Sequence, residues 1–341
     1  MSTIGTSPTE NSDDRCSTDA TGRVAVVGAG SIGAAFSLVF ASADRRVALF
    51  DPDPEALRSA QDYIERSLGA LDAQGLLSHD AASARANIEF VSDLGAAVEG
   101  AVWVHECVPE KVDLKARVFA DLDHLAAPDT ILASATSAIP ASQFAAGLAG
   151  RERCLVAHPG NPPFLLRVLE IVPASFTSPA VVEGATSFTR SVALDPILVH
   201  QEIEGFVFNR LQGALLREAY CLVRDGIASV DDIDRLVRKG LGLRWSVIGP
   251  FETVDLNTRG GIASHAEKLG PAYARMGAER GQHDPWTEEL VADVVAQRRE
   301  LLPLEQWAER VAWRDEAIMR RLAATLHDAE TPAETSAEPS G

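Results

Sequence analysis

The sequence has few cysteines and no long apolar run. Only four of its 341 residues are cysteines, and Cys16, Cys107, Cys154 and Cys221 lie too far apart for a CxxC motif or a metal-ligand cluster. We therefore expect reduced thiols, no metal site and a cytoplasmic protein. No stretch reaches the roughly 18–20 apolar residues that span a bilayer, and residues 1–22 lack the apolar core of a secretory signal. No membrane partner is expected.

Positive charge is also scarce. The chain has 31 Lys and Arg against 49 Asp and Glu, for a net charge of −18. A surface this acidic repels phosphate backbones, so we expect no nucleic-acid partner. With 46% hydrophobic residues, the chain is long enough to form one large or two medium domains.

The character of the sequence changes near residue 203. Residues 1–22 and 326–341 are rich in small, polar and acidic residues, which is typical of disordered tails. Residues 23–202 alternate apolar strands with helical stretches, and this pattern favours a mostly parallel sheet with helices on both faces. Residues 203–325 show helical spacing only. The predicted fold class is α/β: a Rossmann-type doubly wound sheet followed by an all-α C-terminal domain.

Individual elements can be predicted from the same patterns. The predicted strands are Arg23–Val27, Arg46–Phe50, Ile88–Phe90, Val102–His105, Thr130–Ala133, Cys154–Ala157, Val168–Val172 and Pro196–Val199. The predicted helices include Ser31–Ala43, Pro54–Gln74, Leu114–Leu122, Phe206–Arg224, Val230–Lys239, Glu288–Arg298 and Leu304–Leu322.

A glycine-rich turn follows the first predicted strand and precedes a helix. Gly28, Gly30 and Gly33 form a GxGxxG motif. The first glycine permits a tight turn, the second lets a pyrophosphate approach the backbone, and the third lets the helix pack on the strand. The N–H groups near Ser31 and Ile32 offer donors and the positive end of the helix dipole to that anion. In this context the motif predicts a dinucleotide site.

Asp51 ends the next predicted strand. A carboxylate there can accept both ribose hydroxyls of adenosine and would repel a 2′-phosphate. No arginine follows it, since the next residues are Pro52, Asp53 and Pro54. We therefore predict NAD rather than NADP as the cofactor. The alternative is an Asp that caps a helix in a related fold without a nucleotide.

A histidine and an acid lie in two consecutive predicted strands. His158 follows Cys154–Ala157, and Glu170 lies within Val168–Val172 after a proline-rich bend. Imidazole can accept and return a proton near neutral pH. A buried carboxylate would fix its tautomer and raise its basicity. The alternative is a core histidine and a solvent-facing glutamate.

Six motifs, in order along the chain, carry a resemblance to a known family. They are VGAGSIG (27–33), HECVPEKVDLK (105–115), SATSAI (134–139), HPGNPP (158–163), EGFVFNRL (204–211) and GLRWSVIGPFETVDLN (242–257). On these motifs the chain resembles the NAD-dependent L-3-hydroxyacyl-CoA dehydrogenase superfamily, and within it the lambda-crystallin / L-gulonate 3-dehydrogenase branch. The resemblance covers about residues 23–265.

The resemblance implies roles for four residues at the reacting carbon. His158 would take the proton from the substrate hydroxyl, and Glu170 would bond the other ring nitrogen. Ser137 and Asn209 would hold the reacting oxygen as preorganised donors. A turn or helix cap is the alternative for Ser137, and helix packing is the alternative for Asn209.

Further positions would contact the cofactor. Glu110 and Lys115 match family residues on the nicotinamide side, with plain surface charges of a helix as the alternative. Asn161 matches an asparagine beside the nicotinamide, although Pro159 and Gly160 replace an aromatic pair of the acyl-CoA enzymes. The family also implies a homodimer.

The departures from the family favour a small substrate. The basic residues that would meet CoA phosphates are missing from residues 62–80, where Arg66 is the only Lys or Arg. We therefore predict oxidation of a CoA-free L-3-hydroxy acid, such as L-gulonate. A 3-hydroxyacyl-CoA such as 3-hydroxybutyryl-CoA is an alternative substrate. An NAD-binding structural or regulatory protein is the non-enzymatic alternative, because the crystallin branch shows that the same fold can also serve as a structural protein.

Arg244 and Trp245 give a second indication about the substrate. We expect Arg244 in a loop between helices, where it could pair with a substrate carboxylate. A bridge to Glu252 is the alternative. Related carnitine dehydrogenases share the RW pair, and a trimethylammonium group would need an aromatic cage, for which Trp103 and Trp245 are candidates.

Overall fold

The computed structural model describes residues 22–73, 75–281, 287–307, 309–310 and 313. The chain divides into two compact units after Leu216. The first unit carries the sheet, and the second is helical. The tails predicted at 1–22 and 326–341 lie outside the described residues, except for Gly22. The domain boundary predicted at residue 203 stays a prediction.

The first unit is built on one mostly parallel sheet, with the strand order β3-β2-β1-β4-β5-β6-β7-β8. Only β6 and β7 pair antiparallel. All eight predicted strands are confirmed, each within two residues at either end. Their bounds are β1 Arg23–Val27, β2 Val47–Phe50, β3 Ile88–Val91, β4 Ala101–Glu106, β5 Ile131–Ser134, β6 Cys154–Pro159, β7 Val168–Pro173 and β8 Asp195–Leu198.

The central strand β1 is buried on both faces. Val24 and Val26 enter one hydrophobic core, and Ala25 and Val27 enter the other. Alternate residues of a strand point to opposite sides of the sheet, so an uninterrupted apolar run requires a cover on each side. Helices provide that cover. Their bounds are α1 Ser31–Ser42, α2 Pro54–Ala73, α3 Ala81–Ala86, α4 Leu94–Val98, α5 Val112–Leu125 and α6 Pro179–Ser191. The boundary between the two units falls within the next helix, α7 Phe208–Arg224, which has no buried residue.

The helix starts follow from their capping residues. Asp80, Asp93 and Ser178 each accept a hydrogen bond from a backbone N–H in the first turn of α3, α4 and α6. The predicted helices at 31–43, 54–74 and 114–122 are confirmed as α1, α2 and α5, with Gln74 outside the described residues. Short 3₁₀ turns at Ala141–Gln143 and Arg151–Arg153 precede β6.

The second unit contains helices and turns in its described part. After α7 they are α8 Val230–Leu236, a π-helical turn Val237–Leu241, α9 Gly242–Trp245, α10 Pro250–Asn257, α11 Gly261–Glu279, α12 Glu288–Leu301 and a 3₁₀ turn Leu304–Gln306. The expectation of a loop at Arg244 is wrong, because the helical winding that starts at α8 continues through the π turn into α9. The predicted helix 304–322 starts as a 3₁₀ turn, and most of it lies outside the described residues.

A small core holds the second unit together. Ile248, Leu256 and Leu302 are buried, and Trp307 packs against them. The indole of Trp307 donates to the carbonyl of Asp255 over 2.8 Å. Within the described ranges, no helix has the length and apolar character needed to cross a membrane.

Candidate active site

The predicted site residues of the first unit gather where its parallel strands end. The glycine turn follows β1, Asp51 follows β2, Glu110 follows β4 and Ser137 follows β5. In an open α/β sheet, the crevice outside the carboxyl ends of the strands is where ligands bind. His158 lies near the end of β6, the next strand along.

Each glycine of the turn has the geometry that its predicted role requires. Gly28 has φ +106°, and a Cβ there would lie 2.9 Å from the carbonyl oxygen of Cys107. A Cβ on Gly33 would lie 1.8 Å from the carbonyl oxygen of Gly28, so only glycine lets α1 approach this closely. A Cβ on Gly30 would meet no atom within 4 Å. The backbone at Gly30 is therefore open to a ligand.

Asp51 reaches back to this turn. Its Oδ2 accepts a hydrogen bond from the N–H of Ala29 over 2.8 Å, and its Oδ1 accepts from the N–H of Asp53 over 2.9 Å. The N–H groups of Ser31 and Ile32 open α1 and have no intrahelical acceptor. This arrangement fits a dinucleotide, because it combines the open backbone at Gly30, the N-terminus of α1 and the carboxylate of Asp51 after the neighbouring strand.

His158 and Glu170 face each other across the antiparallel pair β6–β7, in direct register. Nδ1 of His158 lies 2.7 Å from Oε2 of Glu170. Each residue is only 4% exposed. The rings of Phe206 and Phe208 flank the imidazole, with centroids at 5.5 and 6.2 Å. The solvent-facing alternative for Glu170 is therefore wrong.

The second oxygen of Glu170 binds the backbone before α7. Oε1 accepts hydrogen bonds from the N–H groups of Val207 (2.8 Å) and Phe208 (3.0 Å). Gly205 and Phe206 immediately before them have φ +76° and +47°. A left-handed, fully buried Phe is strained, and such strain persists only where surrounding contacts impose it. The two bonds to Glu170 contribute to holding this turn.

The environment keeps Glu170 ionised. Burial alone would raise the pKa of its carboxyl, but the hydrogen bonds from His158 and from the N–H groups of Phe208 and Val207 outweigh that effect. The pKa of Glu170 therefore lies below its ordinary value. A charged carboxylate faces the imidazole at neutral pH.

Glu110 organises the loop that follows β5. Its Oε1 accepts hydrogen bonds from the N–H groups of Ser137 (3.0 Å) and Ala138 (3.1 Å), and from the hydroxyl of Thr136. The amide of Asn209 donates to the carbonyl oxygen of Ser137 over 2.9 Å. Asn209 thus binds this loop and does not merely pack within its helix.

These contacts join the predicted catalytic residues into one hydrogen-bonded chain. It runs from His158 through Glu170 to the backbone of residues 207–208, and from the adjacent Asn209 to Ser137 and Glu110. All of these residues lie in the first unit. The structure therefore brings together residues that are up to 99 positions apart in sequence, between Glu110 and Asn209.

Lys115 is not a surface charge, so that alternative is wrong for it. It is 1% exposed and forms an ion pair with Glu106, which is 0% exposed. Burial raises the pKa of Glu106 above its ordinary value, although the charge of Lys115 and the hydroxyl of Ser134 act in the opposite direction.

Sequence reasoning missed Glu106. The available signal was an acid at the end of an apolar strand, the same signal that identified Asp51.

Three other predicted residues stand apart from this chain of contacts. Asn161 is exposed in the β6–β7 connection, next to a cis peptide bond with Pro162. Arg244 lies in the second unit, and its buried Nε has no hydrogen-bond partner among the described residues. Glu252, its expected alternative partner, bonds Arg310 over 2.7 Å. Trp103 is 1% exposed and stacks on Phe188, so it cannot line a cage for a cationic substrate.

Comparison with known proteins identifies the family of the chain. Residues 23–203 match the family model described as 3-hydroxyacyl-CoA dehydrogenase, NAD binding domain, and residues 205–301 match the C-terminal domain of the same family. The chain is 39% identical over 305 residues to the lambda-crystallin homolog of Bos taurus, covering 88% of this chain and 95% of that protein. It is 33% identical over 309 residues to an L-carnitine dehydrogenase of Pseudomonas sp, covering 88% and 92%.

A solved structure shares both sequence and fold. It is a 5-formyl-3-hydroxy-2-methylpyridine 4-carboxylic acid 5-dehydrogenase, 29% identical with a TM-score of 0.67, and the match covers 85% of this chain and 99% of that one. The two family domains together span most of the described chain. The protein therefore belongs to the 3-hydroxyacyl-CoA dehydrogenase family and is an NAD-dependent oxidoreductase that acts on a CH–OH group.

Proposed function

We propose that the protein oxidises a small, CoA-free L-3-hydroxy acid, similar to L-gulonate, to the 3-oxo acid. The observation that carries this proposal is the 2.7 Å contact between the imidazole of His158 and the carboxylate of Glu170. A histidine that is hydrogen-bonded to an ionised acid is suited to taking a proton from an alcohol.

The proton transfer follows from the use of each ring nitrogen. Nδ1 of His158 donates to Glu170, which leaves Nε2 with the lone pair that takes the hydroxyl proton. The ionised Glu170 then stabilises the imidazolium that forms. NAD, when bound, would accept the hydride that leaves the carbon bearing that hydroxyl.

Ser137 and Asn209 hold the substrate oxygen in this proposal. One amide hydrogen of Asn209 already bonds the carbonyl oxygen of Ser137, and the second hydrogen is available to a ligand. The Ser137 side chain is exposed while its backbone is held by Glu110 and Asn209. Donors fixed before the reaction stabilise developing charge without having to reorganise.

The glycine turn and its neighbours bind the cofactor. We assign the pyrophosphate to Gly28, Gly30 and Gly33 with the N–H groups of Ser31 and Ile32, and the adenosine ribose to Asp51. Glu110, Lys115 and Asn161 are assigned to the nicotinamide side. The open space at Gly30 and the Asp51–Ala29 hydrogen bond support this arrangement.

The charges of α2 support a substrate without CoA. The helix carries four acidic residues and two arginines. Arg58 pairs with Glu55, so one of the two cations is already partly neutralised. A ligand with several phosphate charges would gain little from such a surface. Arg244, with its buried Nε free of described partners, is our candidate for the substrate carboxylate.

Two other substrates have specific support. A 3-hydroxyacyl-CoA is the substrate that the family name indicates, and L-carnitine is the substrate in the name of a relative that covers 88% of this chain. The burial of Trp103 counts against carnitine, because it removes one candidate cage residue.

A substrate panel separates these candidates. L-gulonate, L-3-hydroxybutyrate, 3-hydroxybutyryl-CoA and L-carnitine are each supplied with NAD, and NADH absorbance gives kcat/KM. We expect the highest value with a free hydroxy acid. A thousand-fold preference for the thioester would replace our assignment with an acyl-CoA dehydrogenase. NAD binding without turnover of any hydroxy compound would favour the structural or regulatory alternative.

The quaternary structure and compartment also belong to the proposal. We propose a homodimer, supported by the exposed apolar side chains of α7, among them Leu216, Tyr220 and Val223 at 46%, 75% and 39% exposure. Among the residues that the structure describes, Cys107, Cys154 and Cys221 are unpaired thiols, and they support a cytoplasmic location. Burial raises the pKa of the Cys154 thiol to about 12, so that thiol is not reactive.

A further inference from the structure

A buried ion pair lies at the carboxyl ends of β4 and β5. Glu106 is the last residue of β4, and Lys115 lies in the first turn of α5. The Nζ of Lys115 lies 2.9 and 3.1 Å from the two oxygens of Glu106. The pair connects to the hydrogen-bonded chain that includes His158 through Glu110, Ser134 and Thr136.

Both charged groups are fully engaged with the loops around them. Glu106 also accepts hydrogen bonds from the N–H of Val108 and from the hydroxyl of Ser134, each over 2.6 Å. Lys115 also donates to the carbonyl oxygen of Val108 over 3.3 Å and lies 3.6 Å from Oε2 of Glu110. The pair thus ties the loop after β4 to the end of β5.

The contacts continue from Lys115 to Ser137. Glu110 faces Lys115 with one oxygen, and with the other it binds the N–H groups of Ser137 and Ala138 and the hydroxyl of Thr136. The N–H of Thr136 in turn donates to Ser134 Oγ over 3.2 Å. The backbone that presents Ser137 is therefore held from both ends by the same buried cluster.

The position of the pair argues against a purely structural role. Taking two charges out of water costs free energy that their attraction rarely recovers fully, and apolar residues of similar volume often stabilise a core better. A buried pair is therefore better explained by the geometry that it fixes. Here that geometry is the Ser137 loop.

We infer that Glu106, Lys115 and Thr136 are positioning residues for Ser137. Glu106 holds Lys115, Lys115 and Thr136 hold the Glu110 carboxylate, and Glu110 fixes the backbone from which the Ser137 hydroxyl projects. Lys115 thereby acts on Ser137 through Glu110. This inference rests on the proposed function, in which Ser137 holds the substrate oxygen.

The first test is Thr136→Val, which keeps the side-chain shape but removes the hydroxyl that donates to Glu110 and accepts from the N–H of Ile139. We expect kcat to fall about ten-fold, the scale of one hydrogen bond, while the Kd of NADH, measured by fluorescence, stays within two-fold. The matched control is Thr130→Val. Thr130 is equally buried and lies just before β5, at the end opposite Thr136, where its hydroxyl donates to the carbonyl oxygen of Ala101.

A double-mutant cycle decides between positioning and general destabilisation. In a Ser137→Ala background, the hydroxyl to be positioned is gone, so Thr136→Val should change kcat by less than two-fold. An undiminished ten-fold loss in that background would overturn the inference. A rise in the NADH Kd that matches the fall in kcat would overturn it as well, because it would assign the cluster to cofactor binding.

The second test is Glu106→Gln, with Asp123→Asn as its control. Asp123 forms a comparable, largely buried pair with Arg153 away from this cluster. We expect both variants to lower the temperature of thermal unfolding and only Glu106→Gln to lower kcat. Equal kcat for the two variants would overturn the inference. Turnover of the substrate panel by the wild-type protein tests the proposed function separately, so the two failures remain distinguishable.

Discussion

His158 and Glu170 form one hydrogen bond across adjacent antiparallel strands, with Nδ1 and Oε2 2.7 Å apart. The same carboxylate bonds the N–H groups of Val207 and Phe208. Glu170 therefore has two duties: it sets the tautomer of the imidazole and it anchors the turn before α7. Because both backbone partners are donors, Oε1 must remain an acceptor.

The first prediction concerns this pair. His158→Gln removes the proposed base and should lower kcat by about 10²- to 10⁴-fold. Glu170→Gln keeps the acceptor toward Val207 and Phe208 but presents an NH₂ group to Nδ1, which moves the ring proton to Nε2, where the base must be free. We expect a comparable loss of kcat, with the NADH Kd unchanged in both variants. His79→Gln, at an exposed histidine, serves as the control. Turnover of His158→Gln within a few-fold of wild type would refute the mechanism.

Part of this arrangement follows from the sequence alone. Only eight residues separate β6 from β7, which is too short for the crossover that parallel strands need, so the strands must pair antiparallel. That pairing brings His158 opposite Glu170. The eight strands could be predicted because each is a short, largely apolar segment, even where it includes an acid such as Glu89 or Glu170.

Other parts of the site depend on contacts that no local pattern encodes. The left-handed backbone of Phe206 is imposed by its burial and by the bonds of the next residues to Glu170, and nothing in the residue type predicts it. The Glu106–Lys115 pair forms only because α5 starts next to the end of β4. Arg244 was expected in a loop because the π-helical turn before it has no clear sequence signal.

The second prediction contrasts two glycines of the same motif. Gly33→Ala would place a methyl group 1.8 Å from the Gly28 carbonyl oxygen, so α1 must move, and we expect a loss of about 1–3 kcal/mol in the free energy of unfolding. Gly30→Ala meets no atom within 4 Å and should leave stability nearly unchanged while raising the Kd of NADH at least ten-fold. Urea unfolding and NADH fluorescence measure the two effects. Unaltered NADH affinity in Gly30→Ala would remove that glycine from the cofactor site.

The third prediction concerns cofactor choice. Asp51→Asn keeps an oxygen for the N–H of Ala29 but removes the charge that we propose binds the ribose hydroxyls and repels a 2′-phosphate. We expect the preference for NAD over NADP, as the ratio of kcat/KM values, to fall by about 10- to 100-fold. Asp53→Asn is the matched control, since its carboxylate bonds the N–H of Glu55 at the start of α2. An unchanged preference in Asp51→Asn contradicts the assignment.

The fourth prediction concerns His105, which is fully buried beside Phe36 and accepts a hydrogen bond from the indole of Trp103. Burial, together with the charge of Lys115, lowers the pKa of His105 to about 3. Between pH 6.5 and 3 the unfolded chain therefore binds a proton that the folded chain does not, so stability is lost as the pH falls through this window. The loss is about 1.4 kcal/mol per pH unit.

His105→Gln isolates this contribution, because glutamine can still accept from Trp103 but does not titrate. Urea unfolding at pH 7, 6, 5 and 4.5 should give a stability profile that is flatter than wild type below pH 6, with the two curves parallel above pH 7. Curves that stay parallel down to pH 4.5 would show that His105 does not contribute to the acid sensitivity of the fold.

The fifth prediction concerns the exposed side of α7. Leu216, Tyr220 and Val223 recur at spacings of four and three residues, which places them on one face of the helix. Large apolar side chains at 39–75% exposure are unfavourable in water and typical of a surface covered by another chain. In the proposed homodimer, a second copy provides that cover. Light scattering of the wild-type protein should then give twice the chain mass of 36.4 kDa.

Charge on this face should separate the two copies. The double variant Leu216→Asp and Tyr220→Asp would bury carboxylates without partners in the interface, so we expect the 36.4 kDa species to dominate at micromolar concentration. The control is Leu125→Asp, since Leu125 is 45% exposed at the end of α5 and lies outside this face. Dissociation should also lower the temperature of thermal unfolding and make it independent of protein concentration, because a dimer is stabilised by mass action and a monomer is not. A variant that stays at twice the chain mass would exclude this face from the interface.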